Sequence, residues 1–263
     1  MNRIEKKFKE LKEKKEKALV SFITAGDPDL ATTEKLIHEM EKAGTDLIEL
    51  GIPFSDPSAD GPVIQRSSER ALKAGCTLPA VLKLVSTVRK KSQIPIILMG
   101  YYNPILNYGP EAFCKAVAKA GVDGLIVVDL PPEESEELQK PARASGLNLI
   151  YLITPTADAD RIKKVKRLAS GFIYYVSITG ITGAKLHAIS QIQKHVKEIK
   201  THIDLPLCIG FGIRSPEDAK NLSKVAEGVV VGSVLVAELE KGGKKQGVTL
   251  LTRKVAALKK AVL

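Results

Sequence analysis

Leu47-Ile48-Glu49-Leu50-Gly51-Ile52 is an apolar run that contains a single carboxylate, and a polar loop from Pro53 to Pro62 follows it at once. The apolar character predicts a buried strand. A buried, ionised carboxylate is costly unless it is paired or its shifted pKa has a use, so we expect Glu49 to point into the protein or into a cleft. A second carboxylate, Asp60, lies in the loop that leaves the same strand. Two carboxylates on one strand and its loop indicate acid-base chemistry.

This run is one of eight apolar, β-branched runs that recur along the chain. Most of them are nearly continuous rather than alternating, which is typical of parallel strands covered on both faces. The runs are Ala18–Ala25, Leu47–Ile52, Ile94–Tyr101, Gly124–Leu130, Asn148–Thr154, Gly171–Ile178, Pro206–Phe211 and Gly228–Val234. Segments with helical periodicity lie between them, including Thr33–Met40, Glu111–Ala120, Ser135–Ala144, Asp158–Ala169, Leu186–Lys200 and Pro216–Val225.

The helix boundaries are also marked in the sequence. Gly44, Gly121 and Gly146 follow the last residues of helical segments, as C-terminal caps do, and Ser215-Pro216 is typical of a helix start. Strand followed by helix, repeated eight times, predicts right-handed parallel crossovers. Eight units in 263 residues predict an α/β protein with a closed (β/α)8 TIM barrel, and a doubly wound open sheet is the alternative.

The domain organisation follows from composition. No linker rich in Pro, Gly or Ser divides the chain, so we expect residues 1–263 to form a single barrel domain. Residues 1–17 precede the first strand and place Ile4, Phe8 and Leu11 on one helical stripe. We expect this extra N-terminal helix to close the bottom of the barrel.

The net charge of +10 allows two interpretations. A basic surface suits nucleic acid, but the lysines are spread over many segments, interleaved with glutamates, and the chain has no Trp for base stacking. We therefore interpret the charge as solvated helix faces that mildly steer an anionic metabolite, without nucleic acid as a partner. No apolar run approaches the roughly 18 residues of a membrane span, so we expect no membrane partner.

The cysteines and histidines indicate neither disulfides nor a metal site. The three cysteines are odd in number and scattered, which predicts reduced thiols in a cytoplasmic protein. The Lys- and Glu-rich N-terminus has no apolar h-region, which argues against a secretory signal. The four histidines form no cluster with metal-ligand spacing. The cysteines are Cys76, Cys114 and Cys208, and the histidines are His38, His187, His195 and His202.

Glycines at the ends of the last three strands predict an anion site. In a (β/α)8 barrel the active site lies at the carboxyl ends of the strands. Gly183, Gly212, Gly232 and Ser233 lie in loops at that end. Glycines let backbone amides approach a ligand closely, and a helix N-terminus adds a favourable dipole. We expect phosphate binding here; the alternative is that the glycines only permit tight turns.

Each candidate catalytic residue also has a structural alternative. Glu49 suits an ion pair inside the barrel, and Asp60 suits an Asx turn ahead of Gly61. A carboxylate at the carboxyl end of a barrel strand favours the catalytic interpretation. Tyr174 and Tyr175 end a strand, so one of them must face inward. Core packing is the alternative role for that tyrosine.

Five motifs together carry a resemblance to a known family. The longest, Leu47 to Gln65, reads L-I-E-L-G-I-P-F-S-D-P-S-A-D-G-P-V-I-Q. Shorter ones are Phe22–Pro28, Gly180–Ala184, Gly210–Ile213 and Gly232-Ser233. Over essentially its whole length the chain resembles the α subunit of tryptophan synthase. The resemblance implies a barrel that cleaves indole-3-glycerol phosphate into indole and glyceraldehyde 3-phosphate by a retro-aldol reaction, without metal or organic cofactor.

The resemblance also implies a role for each site residue. Glu49 is the acid-base residue for the C3 carbon and the adjacent hydroxyl, Asp60 accepts a hydrogen bond from the ring N–H, and Tyr174 is the active-site tyrosine. A glutamate with both roles needs a pKa raised toward neutrality, whereas Asp60 should stay ionised in a more polar loop. The implied indole slot and phosphate loops comprise Phe22, Ile64, Met99, Tyr101, Thr182, Gly183, Phe211, Gly212, Gly232 and Ser233.

A partner is implied as well. It is a β subunit that carries pyridoxal phosphate, condenses indole with serine, and joins the α subunit in an αββα heterotetramer through which indole passes by a tunnel. Residues 177–185 should form a mobile lid, and loop Tyr101–Asn107 should face the partner. The expected interface residues are Pro53, Asp56, Pro57, Asn103 and Pro131.

Three other functions are alternatives to a lyase that works as a complex subunit. A stand-alone lyase keeps the same site and releases indole. A catalytically silent barrel that activates the β subunit is disfavoured by the intact Glu49 and Asp60. A different phosphate-binding barrel, such as a sugar-phosphate isomerase, is disfavoured by the long motif from Leu47 to Gln65.

Overall fold

The strands all run parallel in one sheet. The structure is a computed structural model that describes residues 1–176, 185–210 and 212–263, with the side chains of 185–188 excluded. The strands in these ranges are β1 Ala18–Thr24, β2 Leu47–Gly51, β3 Ile96–Gly100, β4 Gly124–Val127, β5 Asn148–Leu149, β6 Tyr151–Ile153, β7 Ile173–Val176, β8 Leu207–Gly210 and β9 Gly228–Val231. Their order is β5-β4-β3-β2-β1-β9-β8-β7-β6.

The sheet closes into a barrel through β5 and β6, the segments at the two ends of this strand order. Only Ile150 separates β5 from β6, so the two segments continue one another as one barrel strand. Asn148 in β5 pairs with Gly124 in β4, and Tyr151 in β6 pairs with Ile173 in β7. The predicted (β/α)8 barrel is therefore confirmed, and the open sheet is excluded.

Helices cover the outside of the barrel. Their bounds are α1 Arg3–Lys14, α2 Leu30–Lys42, α3 Pro62–Lys73, α4 Leu78–Val88, α5 Tyr102–Tyr108, α6 Pro110–Ala120, α7 Glu136–Ala144, α8 Ala159–Leu168, α9 Lys185–His202, α10 Pro216–Ser223 and α11 Ser233–Val262, which is kinked at Gly243. The predicted boundary signals are present: Gly121 ends α6 with φ of 94°, and Ser215 begins α10 with a capping box. No single helix in the described ranges is long and apolar enough to cross a membrane; only the bent pair α3 and α4 meets the length and composition criteria together.

The segment after β3 differs from the prediction. We expected Tyr101–Asn107 to be a loop, but Tyr102–Tyr108 forms the short helix α5. Pro104 lies in the first turn of this helix, where a missing N–H breaks no helical hydrogen bond. Asp129, which follows β4, accepts the first N–H of the helix through its Oδ1 at 2.8 Å. This capping partner is distant in sequence, which is why the local pattern did not predict the helix.

The core has an outer layer between strands and helices and an inner layer inside the barrel. The inner layer includes Val20, Leu47, Ile97 and Phe172. Three residues of α1 pack on this layer from the end where the strands begin: Ile4, Phe8 and Leu11. The rings of Phe8 and Phe172 lie 5.6 Å apart between centroids. Helix α1 thus covers the bottom of the barrel, and the opposite end carries the candidate site.

Candidate active site

Strand periodicity places four candidate residues at the top of the barrel interior. Side chains two positions apart on a strand share a face. Phe22, Glu49, Met99 and Tyr174 each follow an inner-layer residue by two positions, namely Val20, Leu47, Ile97 and Phe172. The same four side chains line one cavity of about 320 Å³.

This cavity gathers most of the predicted site. Nine predicted residues line it, and the others on its wall were not predicted. The predicted ones are Phe22, Glu49, Asp60, Ile64, Met99, Tyr174, Gly212, Gly232 and Ser233. The additional ones are Ala59, Gly61, Pro62, Val63, Ile213 and Val230. The inward position of Val230, two residues after Gly228 on β9, was a signal available in the sequence.

Some predictions fall outside the described residues. Thr182, Gly183 and Phe211, together with residues 177–184 of the expected lid, are not among the residues that the structure describes. Tyr101 is described and does not line this cavity, but it lines a small adjoining pocket together with Phe22, Asp60, Ile64 and Met99.

A larger opening of about 770 Å³ lies at the other end of the barrel. It is bounded by the start of α1 and by the ends of α6, α7 and α8. Its carboxylate Asp123 is already paired with Arg3 at 2.9 Å and with Arg89 at 2.7 Å. Barrel enzymes place chemistry at the carboxyl ends of the strands. The cavity around Glu49 is therefore the candidate active site.

Glu49 lies on β2 between Phe22 of β1 and Ile97 of β3. Its side chain is almost fully buried, at 1% exposure, and its Oε1 has no hydrogen-bond partner among the described residues. Burial raises the pKa of Glu49 to about 8. In the described chain Glu49 forms no salt bridge, so the structural ion-pair alternative finds no support. A carboxyl with this pKa can both give and take a proton near neutral pH.

Asp60 lies between β2 and α3 and is only partly buried. Its Oδ2 accepts a hydrogen bond from the Tyr101 hydroxyl at 3.1 Å. Burial raises the pKa of Asp60 above its ordinary value, and the hydrogen bond from Tyr101 opposes this rise. The expected polar loop is therefore less polar around the carboxyl than the sequence indicated. Within the described residues the carboxylate caps no following amide, which disfavours a simple Asx turn.

The Phe22 ring fits between two glycines. A Cβ atom on Gly51 would lie 2.7 Å from the Cζ atom of Phe22, and one on Gly232 would lie 3.3 Å from its Cβ. Neither glycine has positive φ. Their small size, rather than a special backbone conformation, makes room for the ring. Gly232 thus has a packing role beside any role in anion binding.

Tyr174 and Tyr175 are neighbours on β7, so their side chains point to opposite faces of the sheet. Tyr174 faces the barrel interior, and Tyr175 faces the outer layer, where its hydroxyl lies 3.2 Å from Nδ1 of His195. Burial, with a smaller contribution from Glu49, raises the pKa of Tyr174 well above its ordinary value. A Cβ on Gly210 would lie 2.3 Å from the Tyr174 hydroxyl oxygen. The absence of a side chain at Gly210 therefore leaves room for the Tyr174 ring and hydroxyl.

The start of α11 is suited to an anion. The helix begins at Ser233 and has no side-chain N-cap hydrogen bond. Leu235 and Val236 donate their amides to the Gly232 carbonyl, and the amides that precede Leu235 have no acceptor within the helix and point toward a ligand at its start. Gly212 is exposed with φ of 80°, a conformation that favours glycine.

The expected interface residues lie at the same end of the barrel, in the loops after β2 and β4 and, for Asn103, in α5. Asp56 and Asn103 are exposed, and Pro57 and Pro131 are partly exposed. Pro53 is buried, so it lies beneath this surface rather than on it. The described residues contain no cluster of three or more His, Cys, Asp or Glu side chains arranged to hold a metal ion.

A family model for the tryptophan synthase alpha chain matches residues 8–263. The chain belongs to this family. It is 57% identical over 266 residues to the tryptophan synthase alpha chain of Citrifermentans bemidjiense, covering 100% of this chain and 98% of that one. The alpha chain of Geotalea daltonii is 56% identical over 262 residues, with 100% and 99% covered.

Solved structures of the family have the same fold as this chain. The alpha subunit from Legionella pneumophila superposes with a TM-score of 0.93 at 40% identity, covering 100% of this chain and 98% of that one. Tryptophan synthase from M. tuberculosis gives 0.90 at 29% identity, with 100% and 99% covered. The known role of the family is the α reaction, cleavage of indole-3-glycerol phosphate, with channelling of indole. The chain is accordingly a lyase of this type.

Proposed function

We propose that this chain cleaves indole-3-glycerol phosphate in the cavity around Glu49 and Asp60. One observation carries the assignment: the Glu49 carboxyl lines the cavity, is buried without a hydrogen-bond partner in the described residues, and has a pKa raised to about 8. Such a group is mostly protonated at neutral pH, so it begins the reaction as an acid.

Glu49 acts first as the acid and then as the base of the cleavage. Glu49 donates its proton to C3 of the indole ring, and positive charge develops at the ring nitrogen. The carboxylate of Glu49 then takes the proton of the hydroxyl on the adjacent side-chain carbon. The O–H electron pair forms the aldehyde carbonyl, the bond from C3 to that carbon breaks, and its electron pair restores the aromatic ring. Glu49 ends protonated, as it began.

Asp60 and the start of α11 provide electrostatic stabilisation of the substrate's charged groups. Asp60 accepts a hydrogen bond from the ring N–H and stabilises the positive charge that develops there. The amides at Gly212, Gly232 and Ser233 bind the phosphate, assisted by the dipole of α11. Phe22, Ile64 and Met99 enclose the ring. This chemistry uses side chains and backbone alone, and we propose that pyridoxal phosphate belongs to the β subunit.

The top of the barrel also suits the partner. Family membership implies a complex with a β subunit, and we propose the αββα assembly. Leu106 and Tyr108 of α5 are 50% and 40% exposed, near the exposed Asn103. Apolar side chains at a polar surface suit an interface. We further propose that the chain is a single domain in the cytoplasm, which the three free, buried cysteines support.

Indole release from indole-3-glycerol phosphate tests this function. We expect weak activity from the purified chain alone and a rise of about tenfold or more on addition of a β subunit. Strong activity of the chain alone, unchanged by the partner, would instead support the stand-alone lyase. Absence of activity in both conditions would contradict the proposed reaction.

A further inference from the structure

The Tyr101 side chain lines a small pocket that adjoins the cavity and shares Phe22, Asp60, Ile64 and Met99 with it. Tyr101 joins β3 to α5 and is only 5% exposed. Its ring stacks on Phe54, with centroids 5.0 Å apart and planes 29° apart. Phe54 belongs to the loop that leaves β2, so the tyrosine packs against the loop that carries Asp60.

The two partners of the Tyr101 hydroxyl determine which hydrogen bond it accepts and which it donates. The backbone N–H of Ala59 lies 3.0 Å from the hydroxyl oxygen and can only donate, so the oxygen accepts this hydrogen bond. The hydroxyl proton is therefore free to go to Oδ2 of Asp60, at 3.1 Å. Burial and the Asp60 carboxylate raise the pKa of Tyr101, so the phenol keeps this proton.

We propose that Tyr101 is a positioning residue for the α reaction: its hydroxyl holds Oδ2 of Asp60 so that Oδ1 is presented to the indole N–H. Its ring and its bond to Ala59 link that carboxylate to the partner-facing loop. The proposal rests on the proposed role of Asp60.

The link to the partner follows from how the loop is built. Ser55, Asp56, Ser58 and Ala59 are exposed, so a protein that docks on the loop contacts the segment that Tyr101 holds from behind. The Asp60 amide also donates to the Pro57 carbonyl at 3.0 Å. A displacement of this loop therefore moves Ala59, the phenol and the carboxylate together.

Tyr101→Phe tests the positioning role because it keeps the ring stack and removes only the hydroxyl. We expect kcat for indole release to fall about 10- to 100-fold, the range for losing a hydrogen bond to a charged group. Competition by inorganic phosphate should change less than about twofold, because the phosphate loops are untouched. Tyr151→Phe is the matched control, since it also removes the hydroxyl of a buried tyrosine, bonded to Ser135 Oγ at 2.7 Å, but lies outside the cavity.

The pH profile gives a readout that a merely structural role would not move. The titratable groups that face Asp60 are Tyr101 and, across the cavity, Glu49; Asp129 faces Tyr101. Removing the Tyr101 hydroxyl, whose hydrogen bond lowers the pKa of Asp60, raises that pKa, so the acid limb of kcat/KM should move to higher pH in Tyr101→Phe. An unmoved acid limb, or wild-type kcat, would overturn the proposal.

A double-mutant cycle separates this inference from the proposed function. If Tyr101 acts through Asp60, Tyr101→Phe should cost little further activity in an Asp60→Asn background, whereas additive losses would overturn the proposal. Wild-type activity in Asp60→Asn alone would refute the function of Asp60 itself. Phe54→Leu keeps the hydroxyl but removes the stack, and we expect it to reduce stimulation by the β subunit severalfold. Unchanged stimulation in both Phe54→Leu and Tyr101→Phe would overturn the link to the loop.

Discussion

At the scale of the residue, the burial of Glu49 affects both the reaction and the stability of the folded protein. Its carboxyl is buried on a cavity wall with no hydrogen-bond partner for Oε1 in the described residues. The folded protein therefore favours the protonated form, and the pKa of Glu49 rises from 4.5 to about 8. The same burial that makes Glu49 a useful acid makes its ionisation costly to the folded state.

This cost predicts a pH-dependent stability difference. Between pH 4.5 and 8 the folded state holds a proton on Glu49 that the unfolded state loses, so stability falls as pH rises through this window. Glu49→Gln removes the free-energy cost of ionising this carboxyl in the folded state. We expect the variant to gain about 2–5 kcal/mol in free energy of unfolding over wild type at pH 9, and about none at pH 4. Urea unfolding at both pH values measures this; a difference independent of pH would contradict the assigned pKa.

Gly51 predicts a second residue-scale effect. A methyl group at this position meets the Phe22 ring at 2.7 Å and must displace it. Gly51→Ala should therefore raise KM for indole-3-glycerol phosphate about tenfold, as overpacking by a few kcal/mol does. Steady-state kinetics measures this, and Phe22→Leu should restore part of the loss in the double variant. An unchanged KM would show that the ring is not part of the indole slot.

At the scale of the element, an ionic network joins the two helices whose starts face the cavity. Helix α3 follows Asp60, and α11 begins at Ser233. Arg66 of α3 binds Glu240 of α11 with two hydrogen bonds of 2.8 and 2.9 Å. Arg70, one turn further, reaches Glu240 at 2.8 Å and holds the buried Asp27 with two bonds of 2.8 Å. The network sets where the two helices stand relative to each other.

Glu240→Gln should loosen this connection. Its arginine partners lower the pKa of Glu240 to about 2, so the stabilisation is present above about pH 4.5 and is lost as pH falls toward 2. Because the pairs are partly exposed, we expect a loss of only about 1 kcal/mol at pH 6 and a smaller loss at pH 3.5. Chemical unfolding measures both. Glu111→Gln is the control, as its ion pair with Lys115 is exposed on both sides; an equal loss there would remove the special role of the network.

At the scale of the whole molecule, the residues that stabilise the bottom of the barrel are separate from the residues that line the candidate active site at the top. Helix α1 fills the bottom, and the cavity lies at the top. Phe8→Ala should lower the free energy of unfolding by about 3–4 kcal/mol, as for other buried aromatic side chains, and leave kcat and KM within about twofold of wild type. Denaturation and kinetics on the same preparation test this. A large change in KM without a loss of stability would contradict the separation.

Most of the barrel could be predicted from sequence because its strands are continuous apolar runs and its helices have capping signals. Glu49 and Asp60 could be predicted because carboxylates are unusual in and beside such a run. Helix α5 and the bond from Tyr101 to Asp60 could not, because each depends on a contact between loops of different strands. Such contacts leave no periodic signal in either segment.

The central claim is that Glu49 transfers the protons of the reaction, and Glu49→Gln tests it most directly. Indole release should be measured with the β subunit present, beside Glu13→Gln, an exposed control on α1. We predict a loss of about 10²- to 10⁴-fold for Glu49→Gln, with indolepropanol phosphate, a non-cleavable analogue, still bound. Activity within about tenfold of wild type would contradict the account.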